Sequence, residues 1–237
     1  MIKYVFFDLD GTLLPMNQDD FIKDYLESLT SKLAIHDYEP TTTGKAIYSS
    51  VFAMINNDGS TTNENAFWNS LKLICGDNER DSEQIYIDYY QKEFEYNKKN
   101  CWVNEKAKIV IDKIKDLGLK MVLATNPLFP KIATDQRIAW AGIDKNAFEL
   151  ITTYENSSYC KPNIKYYEEI LEKLGVNPKE CLMVGNDALE DMVTLEIGMK
   201  AFLLTDCLIN TRGIDINKFK HGGFNDLLNY IYELLKE

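Results

Sequence analysis

Apolar positions along the chain fall into two regimes. Short, continuous apolar runs recur at residues 2–7 (IKYVFF), 119–125 (LKMVLAT), 148–153 (FELITT), 181–185 (CLMVG) and 200–205 (KAFLLT). Runs without polar alternation are what strands show when both faces of a parallel sheet are covered. Helical spacing fills the gaps between the later runs: 104–117, where Ala107, Val110, Ile111 and Ile114 share a face, then 130–141, 163–174 and 188–197. Strands alternating with helices in this way predict crossover units and a parallel sheet, an α/β fold.

Residues 15–100 differ in kind, with helical spacing and almost no strand signal. Phe21, Tyr25, Leu26, Leu29 and Leu33 lie on one face of a first helix. Ile85, Tyr86, Tyr89, Tyr90 and Phe94 mark a last one behind Ser82, a residue type suited to an N-cap. Two more helices are expected near 43–55 and 63–75. The organisation is therefore a sheet core built from 1–14 and 101–237, with an all-helical insert at 15–100. Linkers are expected at Pro15 and Met16 and at Asn97 to Asn104. TTTGK at 41–45 has Glu39 where a phosphate loop needs its first glycine, and Ala46 after the lysine, so it reads as a helix start with Lys45 on the surface. The aromatic residues of 85–94, with Trp68, Trp102 and Trp140, read as core rather than as a platform for bases.

Composition narrows the partners. The 237 residues are 45% hydrophobic, enough for a packed interior. The formal net charge of -11 opposes binding to a nucleic-acid backbone, which needs basic stripes to release counterions. A small anionic substrate stays possible where a local cation or a metal overrides that field. The five scattered cysteines, never in a CxxC pair, read as reduced thiols, and neither a signal peptide nor a bilayer-spanning run is visible, so a cytoplasmic protein is expected. His36 and His221 lie far apart, against a histidine-built zinc site.

Ligands of open parallel sheets bind beyond the carboxyl ends of the strands, so the residues closing each strand carry the chemical signal. Here these are Asp8 and Asp10 after the first run, Thr125 and Asn126 after the second, Lys161 before Pro162 in the loop after the third, and Asn186, Asp187 and Asp191 after the fourth. Each has an ordinary explanation alone: an Asx turn, a cap, a solvated charge. Together, carboxylates at several strand ends suit a hard divalent cation such as magnesium, and cation plus lysine suit a phosphate group. An aspartate is ionised at neutral pH and can attack phosphorus without a base, which nominates Asp8 as nucleophile. Asp10 is placed to protonate a leaving oxygen and then to take a proton from water. Thr125 and Asn126 can donate to phosphoryl oxygens, Lys161 can neutralise their growing charge, and Gly11 permits a tight turn beside the ligand.

FFDLDGTL, LATN, KP and VGNDALEDM, in that order, resemble the four motifs of the haloacid dehalogenase-like hydrolase superfamily, and TTYENSSYCKP resembles its approach to the motif lysine. The resemblance covers nearly the whole chain. It implies a Rossmann-like core, a helical cap in the position of the insert, a magnesium ion, and an aspartyl phosphate formed on Asp8. It also implies metal binding by the Asp8 carboxylate, the Asp10 backbone carbonyl and an acid of the fourth motif. Asn186 stands where many members carry that acid; Asp187 is the preferred ligand, with Asp191 in support. The function expected is a magnesium-dependent phosphatase acting on a small phosphorylated metabolite, without nucleic acid or membrane, as a monomer or small homo-oligomer. Alternatives are a phosphomutase of the beta-phosphoglucomutase type and, outside enzymes, a phospho-accepting receiver-like domain.

Overall fold

A computed structural model describes residues 1–75 and 82–236. Six parallel strands form one sheet in the order β3-β2-β1-β4-β5-β6: β1 (Tyr4–Phe7), β2 (Lys120–Leu123), β3 (Leu150–Ile151), β4 (Cys181–Gly185), β5 (Lys200–Leu204) and β6 (Lys220–Gly222). All four residues of β1 are buried because the sheet is covered on both sides. Val5 and Phe7 enter one hydrophobic cluster. Tyr4 and Phe6 enter another, with Tyr166, Tyr167, Ile170 and Leu171 of α7 (Ile164–Leu174). The unbroken apolar run of the sequence is the trace of these two interiors. On the first face lies α5 (Glu105–Asp116), which buries Ala107, Val110, Ile111 and Ile114, the larger three contributing about 1.5–3 kcal/mol each.

Between β1 and α5 the described residues form four helices: α1 (Gln18–Ala34), α2 (Pro40–Ile55), α3 (Asn63–Cys75) and α4 (Ser82–Lys92), followed by a 3-10 segment at Phe94–Asn100. The expected N-cap at Ser82 concerns a side chain outside the described residues. TTTGK lies in the first turns of α2, whose cap is the Glu39 carboxylate accepting from Thr41 N and Thr42 N at 3.0 and 2.7 Å; Lys45 is exposed. Aromatic packing joins the helices to the core: Tyr25 stacks on Tyr90, and Phe94 stacks on Trp140 of α6 (Lys131–Trp140), whose indole donates to Glu95 Oε2 at 2.6 Å. The two links between helices and sheet run side by side. Met16 pairs antiparallel with Cys101, Asn17 N donates to Asn100 O, and Trp102 N donates to Pro15 O.

Two expectations need correction. Residues 188–197 are not an α-helix but a turn followed by a 3-10 segment at Met192–Ile197. Local polar groups capture the backbone there: Asp187 Oδ1 accepts from Leu189 N and Glu190 N, Asp191 Oδ2 accepts from Asp187 N, and Gly198 closes the segment at φ +86°. Trp102 is 53% exposed and is not core. Beyond 205, where no apolar run signals it, the sheet gains β6, a three-residue edge with two exposed residues, and α8 (Phe224–Leu234) packs beside it. No described helix is long and apolar enough to cross a membrane.

Candidate active site

The strand order reverses beside β1, and the carboxyl ends of β1, β2 and β4 open there into one cleft, a cavity of about 390 Å³. Ladder bonds continue past the strands, Ala124 N to Phe7 O at 2.7 Å and Asp8 N to Val184 O at 2.9 Å, so the residues after each strand emerge in register. Asp8, Asp10, Thr125, Asn126, Lys161, Asn186, Asp187 and Asp191 all border this cleft. The strand-end residues singled out in the sequence are thus brought together.

At its floor Lys161 Nζ donates to Asp8 Oδ1 at 2.9 Å and to Asp191 Oδ1 at 2.7 Å, with its own side chain 1% exposed. Burial alone would lower the pKa of this ammonium, but Asp191 and Asp8 outweigh it and raise it well above the ordinary lysine value. Burial raises Asp191, and Lys161 draws it back. Thr12 Oγ1 lies within hydrogen-bond reach of both Asp8 Oδ2 (3.0 Å) and Asn186 Oδ1 (2.9 Å). Close approach is built in at two glycines. A Cβ on Gly11, which sits at φ +80°, would fall 2.3 Å from Asn186 Nδ2, and one on Gly185 would fall 2.0 Å from Asp191 Oδ2.

Asp10 is held by a residue the sequence reading missed. Arg137 of α6, completely buried, donates from Nη1 to Asp10 Oδ2 and from Nη2 to Thr134 Oγ1, and its guanidinium lies 4.4 Å from the centre of the Phe129 ring. Burial raises the Asp10 pKa; Arg137 opposes this and Asp8 adds to it. Among the described residues Asp10 Oδ1 and Arg137 Nε find no hydrogen-bond partner. Nothing in the sequence separates this arginine from the surface charges of an amphipathic helix. Thr12 was in plain view within FDLDGT, and Glu190 stood inside the fourth motif. Glu190 Oε2 accepts from Asn126 Nδ2 at 3.3 Å, and burial pushes its pKa up to about 7 against the pull of Lys161.

The second-strand residues are anchored from behind. Thr125 O accepts from Thr152 Oγ1 at 2.7 Å and Tyr166 Oη at 2.9 Å, and Asn126 Oδ1 accepts from Lys161 N at 3.3 Å. Asp187 borders the cleft, but its Oδ1 is engaged by the amides of Leu189 and Glu190, while Asn186 Oδ1 meets Asp8 Oδ2 at Thr12. Among the described residues no three His, Cys, Asp or Glu side chains make a metal cluster unaided. The donors that meet are oxygens, Asp8 Oδ2 and Asn186 Oδ1 at Thr12, with Asp187 on the same cleft border, and carboxylates outnumber the two cations Lys161 and Arg137. Both features fit a hard divalent cation supplemented by a main-chain carbonyl.

Comparison with known proteins places this geometry in context. The chain is 26% identical over 92% of its length to a glyceraldehyde 3-phosphate phosphatase of Methanothermobacter thermautotrophicus, 92% of which is matched. Its fold is shared with a HAD phosphatase from Thermococcus onnurineus (TM-score 0.58, 21% identity, 97% of this chain and 98% of that one). A predicted phosphoglycolate phosphatase from Haemophilus somnus superposes similarly (TM-score 0.57, 18% identity, 97% and 98%). The family model described as haloacid dehalogenase-like hydrolase matches residues 2–196, and the chain belongs to that family.

Proposed function

We propose that this hydrolase is a magnesium-dependent phosphatase of a small phosphorylated compound, working through an aspartyl phosphate on Asp8. The reading is carried by one observation, the buried Lys161 ammonium shared between Asp8 and Asp191 at the floor of the cleft. It is supported by the phosphatase descriptions of the relatives. An Asp8 oxygen attacks phosphorus, the ester P–O bond breaks, and Asp10 gives its proton to the departing alkoxide oxygen. Water then attacks the phosphorus of the acyl phosphate, Asp10 takes the water proton, and Asp8 is released with inorganic phosphate. Thr125 and Asn126 orient the phosphoryl oxygens, and Lys161 offsets the charge that spreads over them. Arg137 is a positioning residue that fixes the carboxyl group of Asp10.

Asp8, the Asp10 carbonyl and Asp187, joined by the Asn186 amide oxygen, would hold the magnesium ion. Bound there, the ion would neutralise carboxylate repulsion and polarise the phosphoryl group. The test is phosphate release from p-nitrophenyl phosphate with magnesium present. Wild-type protein turns over repeatedly, and Asp8→Asn, shown by circular dichroism to be folded, does not. Equal release by the variant refutes the role of Asp8; a single stoichiometric burst would instead describe a phospho-accepting domain.

A further inference from the structure

Resting on the phosphatase reading of the cleft, we infer that the substrate is a phosphate monoester of an uncharged, apolar alcohol, whose carbon body lies along α1 and α2 and reaches into an adjoining chamber. The helical side of the cleft is Phe21, Ile22 and Ile55, with Gln18 as its polar member. Ile22 and Ile55 are 40% and 43% exposed, so two branched apolar side chains stand open to water directly above the carboxylates. Among the described residues bordering the cleft, Lys161 is the single cation, already shared by Asp8 and Asp191, while Asp10, Asp187 and Glu190 also face inward. A second phosphate or a carboxylate on the substrate would lose its hydration beside like charge and find no partner. An apolar body would cover the isoleucines and remove them from water.

The path continues past the cleft. Ile22, Leu128 and Phe129 border both the cleft and a larger cavity of about 790 Å³ between the helices and the core. Along α2, Ile55 faces the cleft while Val51 and Tyr48, on the same helical face, face the chamber. The seven helical steps from Tyr48 to Ile55 make this lane about 10 Å long. Tyr25 and Tyr90 on the chamber wall pair their hydroxyls at 2.7 Å, so their polar ends satisfy each other and the rings are left as lining. Among the described residues Glu64, Glu83, Asp135 and Glu155 border the chamber against one cation, Lys131, whose ammonium Asp135 already engages at 2.7 Å, so the balance of charge is set against an anionic tail.

The experiment is a series of ethyl, butyl, hexyl and octyl phosphates below their micelle concentrations, with phosphoglycolate as the anionic comparison and magnesium present throughout. All the alkyl esters release a primary alcohol, so leaving-group ability stays constant and kcat/KM reads burial of the chain. The expected rise is about three- to fourfold per methylene as it is buried, levelling once the chain outruns the ~10 Å lane. Phosphoglycolate should fall at least about tenfold below ethyl phosphate, the neutral ester of equal carbon count, the penalty of roughly 1.4 kcal/mol that an unpaired charge readily exceeds. Val51→Asp should flatten the series. Should that variant fold poorly, competitive inhibition of the wild-type enzyme by alkylphosphonates of the same lengths reads the same lane without a substitution. A flat or falling series, or a preference for phosphoglycolate, overturns the apolar assignment and leaves the phosphatase intact. Failure of the wild type to cleave any ester overturns the phosphatase reading and this inference with it.

Discussion

Replacing Arg137 by methionine removes a guanidinium that is wholly enclosed while keeping most of the side-chain volume. What remains is the Asp10 carboxylate, already lacking a partner at Oδ1 and now lacking one at Oδ2. Breaking one side of a buried ion pair costs about 3–5 kcal/mol. Asp10 keeps 22% of its side-chain surface exposed and can take up a proton, so the lower end, about 3 kcal/mol, is expected. At roughly 2.1 cal/mol/K per residue, a chain of 237 residues unfolds with about 0.5 kcal/mol/K, which converts that loss into a fall in Tm of about 6 °C. Calorimetry or thermal circular dichroism on wild type, Arg137→Met, Asp10→Asn and the double variant completes a cycle. Its coupling energy should exceed about 1 kcal/mol, because the methionine is tolerated better once the carboxylate is gone. Simple additivity, or a cost under about 1 kcal/mol for Arg137→Met, would refute an energetically coupled pair. The kinetic companion separates positioning from packing. In Arg137→Met, kcat should fall further for alkyl phosphates than for p-nitrophenyl phosphate, with Arg137→Lys recovering part of the difference.

Gly11→Ala forces a methyl group into the place of the Asn186 amide at a positive φ, and a loss of about 1–3 kcal/mol in denaturant unfolding is expected, with a matching fall in turnover. The Thr42 side chain, with the backbone amides of Thr42 and Thr41 at the start of α2, holds Glu39 down to about 2. Its contribution is therefore complete above the unfolded value near 4.5 and lost as pH falls through about 2, and the NMR titration of its carboxyl carbon should show that low midpoint. In Glu39→Gln this part of the acid sensitivity disappears. Chelation should abolish phosphate release and added magnesium restore it; unchanged activity in excess chelator would remove the metal from the proposal. Burial pushes the Cys160 and Cys181 thiols up to about 12, so both should resist alkylation at pH 8 in the native state and react at once in denaturant.

The parts of this molecule that could be read from sequence are those where one physical demand dominates. Strands covered on both faces must be continuously apolar, and β1, β2, β4 and β5 were visible for that reason. Residues closing those strands share a location by topology alone, which is why Asp8, Thr125, Lys161 and Asp187 could be grouped before any coordinates. Competing demands hid the rest. Around 188–197 apolar spacing favoured a helix, but carboxylates beside the backbone amides offered nearer partners. Arg137 sits on a helix whose sequence looks amphipathic in the ordinary way, and only the approach of α6 to the first loop encloses it. The edge strand β6 borrows its structure from β5 and has almost no apolar signature of its own.

The paired links at Met16 and Cys101 have a consequence for how such a chain can be remodelled. Because the polypeptide leaves the sheet and re-enters it at adjacent points, joined by main-chain hydrogen bonds, the two ends of the helical segment lie side by side. A short bridge from 16 to 101 would close the gap without disturbing the order of the strands, and a foreign helical module with neighbouring ends could be seated in its place. What any replacement would have to bring, besides adjoining ends, is an apolar face that fills the cluster Phe21, Leu29 and Phe94 share with Val5, Phe7 and Trp140.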